Sequence, residues 1–165
     1  LGADDGDPDE GSGSAPAELT LTEAREYQNR VLEELAAFVP PEVVVRNNGP
    51  IEKMKGMRCD WYKGTRSAGA DAGVMLPGGQ YVGVKPGTDL DAVREAMAEH
   101  YRTEPGWEVN WEQHEGWRTL ALDSPDGYGF YVSAYRVDSA DPELGMSSFS
   151  PCMKAPEGFT LFDKY

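Results

Sequence analysis

The stretch WEVNWEQHEGWRTLALDSPDGYGFYVSAY, residues 107–135, decides the fold. Trp107, Val109 and Trp111 alternate with polar residues. A turn around His114-Glu115-Gly116 leads into a run with Leu120 and Leu122 on one face. Ser124-Pro125-Asp126-Gly127 then places proline second and glycine fourth in a β-turn. After it, Tyr128, Phe130, Val132 and Ala134 alternate against Gly129, Tyr131, Ser133 and Tyr135. Successive side chains on a strand point to opposite faces, so three such runs joined by tight turns predict an antiparallel sheet.

The elements upstream fit around this sheet. Asp89 and Asp91 suit the positive N-terminal end of a helix starting at Thr88 or Asp89. Leu90, Val93, Met97 and Tyr101, with Ala96 and His100 alongside, form its apolar face, and Pro105-Gly106 closes it. Before it, Val74-Met75-Leu76, a turn at Pro77-Gly78-Gly79 and Gln80 to Lys85 read as a hairpin. Arg58 to Lys63 reads as a strand with Cys59 and Trp61 on one face and Asp60 and Tyr62 on the other. Gly64 to Asp71 reads as a polar loop, Asn47-Asn48-Gly49-Pro50 as a turn, and Val43-Val44-Val45 as a short strand. An earlier helix starts from the capping-box pair Thr20 and Glu23, with Thr22 as the other candidate cap. It carries Ala24, Tyr27, Val31, Leu35 and Phe38 in one stripe and stops at Pro40-Pro41. Downstream, a polar loop from Asp138 to Glu143 precedes a last short strand leading to Cys152. The expectation is an α+β domain of two layers, with two helices on one face of a mostly antiparallel sheet, in the order α-β-β-β-α-β-β-β-β.

Residues 1–18 have no large apolar side chain after Leu1 and are rich in Asp, Glu, Gly, Ser and Pro. Such a segment cannot bury enough surface to offset the entropy of ordering, so it reads as an acidic tether ahead of one domain at 19–165. Asp5, Asp7 and Asp9 alternate as in a calcium loop, but Glu10 and Pro16 stand where that loop needs Gly and Glu. The net charge of −14 over 165 residues argues against nucleic acid and against docking on anionic lipid through a basic patch. No stretch is long and apolar enough to span a bilayer.

No constellation compels catalysis. His100 and His114 are the only histidines, and neither lies in a metal-binding spacing, so no metal is expected. There is no Gly-x-Ser-x-Gly elbow, and Gly78-Gly79 precedes a strand where a phosphate loop needs a helix. Acid pairs such as Glu108 and Glu112 invite a glycosidase reading, but with 29 acidic residues such pairs arise by chance. No catalytic residue and no cofactor is assigned. The aromatic residues read first as sheet packing. Tyr131 and Tyr135 share the face opposite Phe130 and Val132. If the helices cover only one side, that pair is the candidate binding face for a sugar, a peptide or a partner protein.

Cys59 and Cys152 are the only cysteines. By themselves they could be two unrelated buried thiols, but the tether points to an exported protein, in which the pair would be bonded. The succession of acidic tether, helix, Arg58-Cys59-Asp60-Trp61, second helix, Ser124-Pro125-Asp126-Gly127 and Ser150-Pro151-Cys152 resembles small secreted lipoproteins of actinobacteria, including the LppA-like group. The resemblance implies an extracytoplasmic domain stapled by Cys59–Cys152. It also implies a lipid anchor attached ahead of Leu1 as the only membrane contact, and no catalytic residues. The expected function is non-enzymatic binding in the cell envelope, with an envelope protein, a glycan or a small ligand as partner. A carboxylate hydrolase and a module that blocks a partner enzyme are the alternatives.

Overall fold

The computed structural model describes residues 20–59 and 73–165. The tether, the part of the Arg58–Lys63 strand with Trp61 and Tyr62, and the Gly64–Asp71 loop lie outside the described residues. The elements are α1 (Leu21–Ala36), a short 3₁₀ turn (Pro41–Val43), β1 (Val44–Asn47), β2 (Met57–Cys59), β3 (Gly73–Met75), β4 (Pro77–Val84), α2 (Leu90–Thr103), β5 (Glu108–His114), β6 (Trp117–Asp123), β7 (Gly129–Tyr135), β8 (Glu143–Phe149) and β9 (Met153–Lys154).

Both helices begin where their caps dictate. At α1, the Glu23 amide donates to Thr20 Oγ1 at 3.1 Å and the Thr20 amide to Glu23 Oε2 at 3.5 Å, a reciprocal capping box. At α2, Asp89 accepts from the Ala92 amide at 3.0 Å. The apolar faces are close to expectation: Ala24, Val31, Leu32 and Leu35 on α1, and Leu90, Val93, Met97 and Tyr101 on α2, are buried. Ala96 and His100 are exposed, however, and Arg94 and Ala98 are buried in their place.

Six strands form one antiparallel sheet in the order β1-β4-β8-β7-β6-β5. Its register puts Val82, Leu144, Met146, Val132, Phe130, Leu120, Leu122, Val109 and Trp111 on one side. Both helices pack on that side, α1 over β4 and β8, and α2 over β5, β6 and β7. The core is therefore a single layer between sheet and helices. Each Leu or Phe fully buried there contributes about 1.5–3 kcal/mol.

Two buried arginines tie helix to sheet. Arg25 Nη1 donates to the Pro77 carbonyl at 2.8 Å and to Gln28 Oε1 at 3.3 Å, and its Nη2 to the Tyr165 main-chain oxygen at 2.8 Å. Burial lowers its pKa. Arg94 Nη2 meets Asp91 Oδ1 at 2.6 Å, while its Nη1 donates to the carbonyls of Arg118 and Val132. Its guanidinium lies 5.3 Å from the Trp111 ring centroid, and that of Arg118 lies 3.8 Å from it.

Three expectations are corrected. Pro77-Gly78-Gly79 is no turn; it opens the eight-residue strand β4. Gly78 is there because Ser148 on β8 and Arg25 on α1 both approach closely: a Cβ would overlap Ser148 Oγ and lie 2.9 Å from Arg25 Nη1. β3, the other half of the expected hairpin, belongs to a separate three-stranded sheet, β2-β3-β9, which was not foreseen. The last short strand is instead the seven-residue β8, central in the large sheet between β4 and β7.

The Cys59–Cys152 disulfide is present, with the two Cα atoms 5.9 Å apart. It closes the small sheet. Cys59 pairs with Gly73, and Gly73 with Lys154, so the bond passes over β3 from β2 to the entry of β9. A side chain at Gly73 has no room: its Cβ would overlap Cys152 Sγ and lie 2.8 Å from the Cys59 carbonyl oxygen.

Candidate functional site

The side of the large sheet away from the helices is covered by neither α1 nor α2; at its β4 end Ile51 lies over Gly79 and Arg46 over Gly83, and the rest is open. The residues there are those whose register partners alternate with the core: Tyr81 and Gly145, Ser133, Tyr131 and Ala121, and Glu108, Asn110, Glu112 and His114 on β5. Tyr131 and Tyr135 both belong to this side, Tyr131 half-buried and Tyr135 45% exposed. Tyr81, which the sequence reading did not single out, joins them at 52% exposed.

Glycine shapes this surface. Tyr135 lies across Gly145, where a Cβ would overlap the Tyr135 ring and stand 3.3 Å from Tyr81 Cε1. Tyr131 leans over Gly129 and meets Phe149 edge-on, with centroids 5.9 Å apart. Rings laid on glycines leave a shallow face, with the phenols at its surface. The signal was present in β4, where Gly79, Tyr81 and Gly83 alternate on one side.

Charge divides the face. At one end Glu143 binds Arg46 at 3.2 Å and Arg136 at 3.3 Å. At the other end stand Glu108, Glu112 and Asp123, none of which has an ion-pair partner among the described residues. Burial pushes the Tyr131 phenol up, and the Asp123 and Glu112 carboxylates push it further. Between the ends, Thr119 Oγ1 bonds Ser133 Oγ at 2.9 Å, and His114 stacks on Trp117 with centroids 4.0 Å apart.

The other chemical candidates do not assemble. Glu108 and Glu112 lie on one strand four residues apart, about 13 Å at the usual strand rise. The carboxyls of a glycosidase pair stand about 5–9.5 Å apart. His100 is on α2, 3.6 Å from Glu104, and packs on Phe38 and Tyr101. His114 is on the β5–β6 hairpin. Among the described residues no three His, Cys, Asp or Glu side chains group as a metal site. A cleft of about 530 Å³ opens at the N-terminus of α2, between Asp89, Asp91, Arg94, Trp117, Arg118 and Asp138. Arg94 is engaged by Asp91 and Arg118 by Glu95 at 2.9 Å, so its cations are already neutralised.

Comparisons with protein-family models, with curated proteins and with solved structures return no match to this chain.

Proposed function

We propose that this chain is a non-enzymatic binding domain that works outside the cytoplasm, in the cell envelope, and that the open face of its large sheet is the contact surface. The observation that carries the reading is the row Tyr81, Tyr135 and Tyr131 on a sheet face that neither α1 nor α2 covers. Tyrosines combine a large apolar body with a polar tip, which suits a surface wet when free and dry when bound. The disulfide is consistent with an extracytoplasmic location. The acidic tether and the resemblance to secreted lipoproteins support a lipid anchor ahead of Leu1, which would hold the domain off the membrane. The partner is an envelope protein, a glycan or a small ligand that the tyrosine row covers.

Photo-cross-linking in the source cells tests this. A photoreactive phenylalanine replaces Tyr135 in one variant and Glu99, on the outer side of α2, in another. Adducts in the envelope fraction from position 135 and not from position 99 are the expected result. Equal labelling from both positions, or none from 135, rejects the face.

A further inference from the structure

We infer that the outer edge of β5 is a docking site for an extended cationic segment of a partner protein, which adds to the large sheet as a seventh strand. The inference rests on the reading above and supplies the chemistry of the partner.

The edge follows from the hairpin geometry. The turn Glu115-Gly116 closes on the pair His114–Trp117. With only two residues in the turn, that closing pair is the hydrogen-bonded one, and bonding alternates along an antiparallel ladder. The main chains of Glu108, Asn110, Glu112 and His114 therefore face β6. Those of Val109, Trp111 and Gln113 face outward, and β5 is the last strand of the sheet. Among the described residues, no other segment bonds to these outward groups. The opposite edge differs: β1 has four residues and a register shift between Val44 and Arg46, which spoils it as a template.

Charge selects the occupant. Glu108, Glu112 and Glu115 are exposed along the edge, and Asp123 lies directly across from Glu108. None has an ion-pair partner among the described residues, while Arg118, opposite Gln113 on β6, is taken by Glu95. A second acidic edge is repelled, because like charges opposite one another destabilise a pair. A basic strand is favoured, and it gains main-chain bonds as well as charge. The pattern it must carry is set by the alternation. Residues opposite Glu108 and Glu112 are basic, four apart, on the open side. Those opposite Val109 and Trp111 are apolar, on the helix side.

The test uses a capped peptide with the core Lys-Val-Thr-Val-Lys, titrated into the isotope-labelled domain and followed by amide shifts and hydrogen exchange. Binding should shift and protect the amides of Val109, Trp111 and Gln113. Affinity should fall about tenfold or more in three cases: N-methylation of the peptide at the valines, the double variant E108Q/E112Q, and Gln113→Pro. The proline removes an outward amide at an exposed edge position, together with the 3.4 Å bond from Gln113 Nε2 to the Trp117 carbonyl, and an unchanged melting temperature establishes that each variant is folded. Equal binding of the N-methylated peptide shows charge attraction without strand addition and overturns the inference. So does dimerisation of the free domain that Gln113→Pro abolishes, which makes a second copy the occupant. So does the absence of peptide binding. Cross-linking from position 135 is scored separately, so failure of the open face is told apart from failure of the β5 edge.

Discussion

The two sheets of this chain are held by different means. The large sheet has strands of seven and eight residues over most of its width and a layer of buried side chains beneath two helices. The small sheet has strands of two and three residues. Strands that short cannot bury a face of their own. The small sheet instead contributes Val74 and Met153 to the common core and is closed by a disulfide over Gly73. One sheet is stabilised by what the folded state buries. The other depends on a crosslink that, in the chain-entropy view, acts by restricting the unfolded chain.

Four changes separate these contributions. The largest effect is expected from replacing both cysteines by alanine. The bond spans a sequence separation of 93 residues, so its loss should cost about 4–5 kcal/mol in denaturant unfolding. At low denaturant, hydrogen exchange should accelerate first in β2, β3 and β9, with the large sheet still protected. Uniform exchange across both sheets would show that they are one cooperative unit. Next, Phe130→Ala removes a fully buried side chain from the large sheet and should cost about 3–5 kcal/mol in the same assay. A cost comparable to that of a surface change would show that the helix layer collapses onto the gap.

A smaller effect is expected from alkali, and it belongs to the layer between the helices and the large sheet. Burial raises the phenol pKa values of Tyr27, Tyr101 and Tyr128, the last to about 12. The folded state thus favours the neutral phenols. Their contribution is complete below the ordinary phenol value of about 10 and is lost as pH rises through the folded values. Phenolate absorbance for these residues should appear only together with unfolding, and titration in the folded state would contradict their burial. The smallest effect is expected on the open side. Tyr135→Ala should change stability by about 0.5 kcal/mol or less while altering whatever contacts that face makes. A cost approaching that of Phe130→Ala would mean that the ring packed over Gly145 is structural.

How much was legible in the sequence follows the same division. The β5–β6–β7 meander was readable because apolar residues alternate without a break and each turn has its own chemistry. Both helix starts were readable from Thr20 and Asp89, whose side chains act on amides three residues away. The small sheet was not readable. Its strands are too short to show a period, and its β2–β3 partners lie on either side of residues 60–72. Pro77-Gly78-Gly79 misled because the pattern that makes a turn also makes a strand start with room for a buried arginine, and only the position of Arg25 on α1 decides between them. Arg94 was hidden for a related reason: a charged residue on a helix reads as exposed until two carbonyls and an aspartate are found around it. On the open face, Tyr131 and Tyr135 could be named from alternation alone. Tyr81 alternates just as plainly between Gly79 and Gly83, but which side of the sheet that alternation faces depends on β4 pairing with β8, and a turn at Pro77-Gly78-Gly79 would pair it with β3 instead.

The Arg25 strut and the disulfide also set how the domain would bear load. A pull on the chain ahead of Thr20 enters the fold in the first turn of α1. One turn further on, Arg25 passes it to the Pro77 and Tyr165 main chains. The force therefore divides between Pro77 and Tyr165, and unwinding the end of the helix does not by itself release the sheet. If the sheet does yield, the covalent link at Cys59–Cys152 withholds the segment between those residues from any end-to-end extension. A domain hung from one end would stretch only by its outer segments, and the strands β4 to β8, which carry the proposed contact face, would stay within a closed loop.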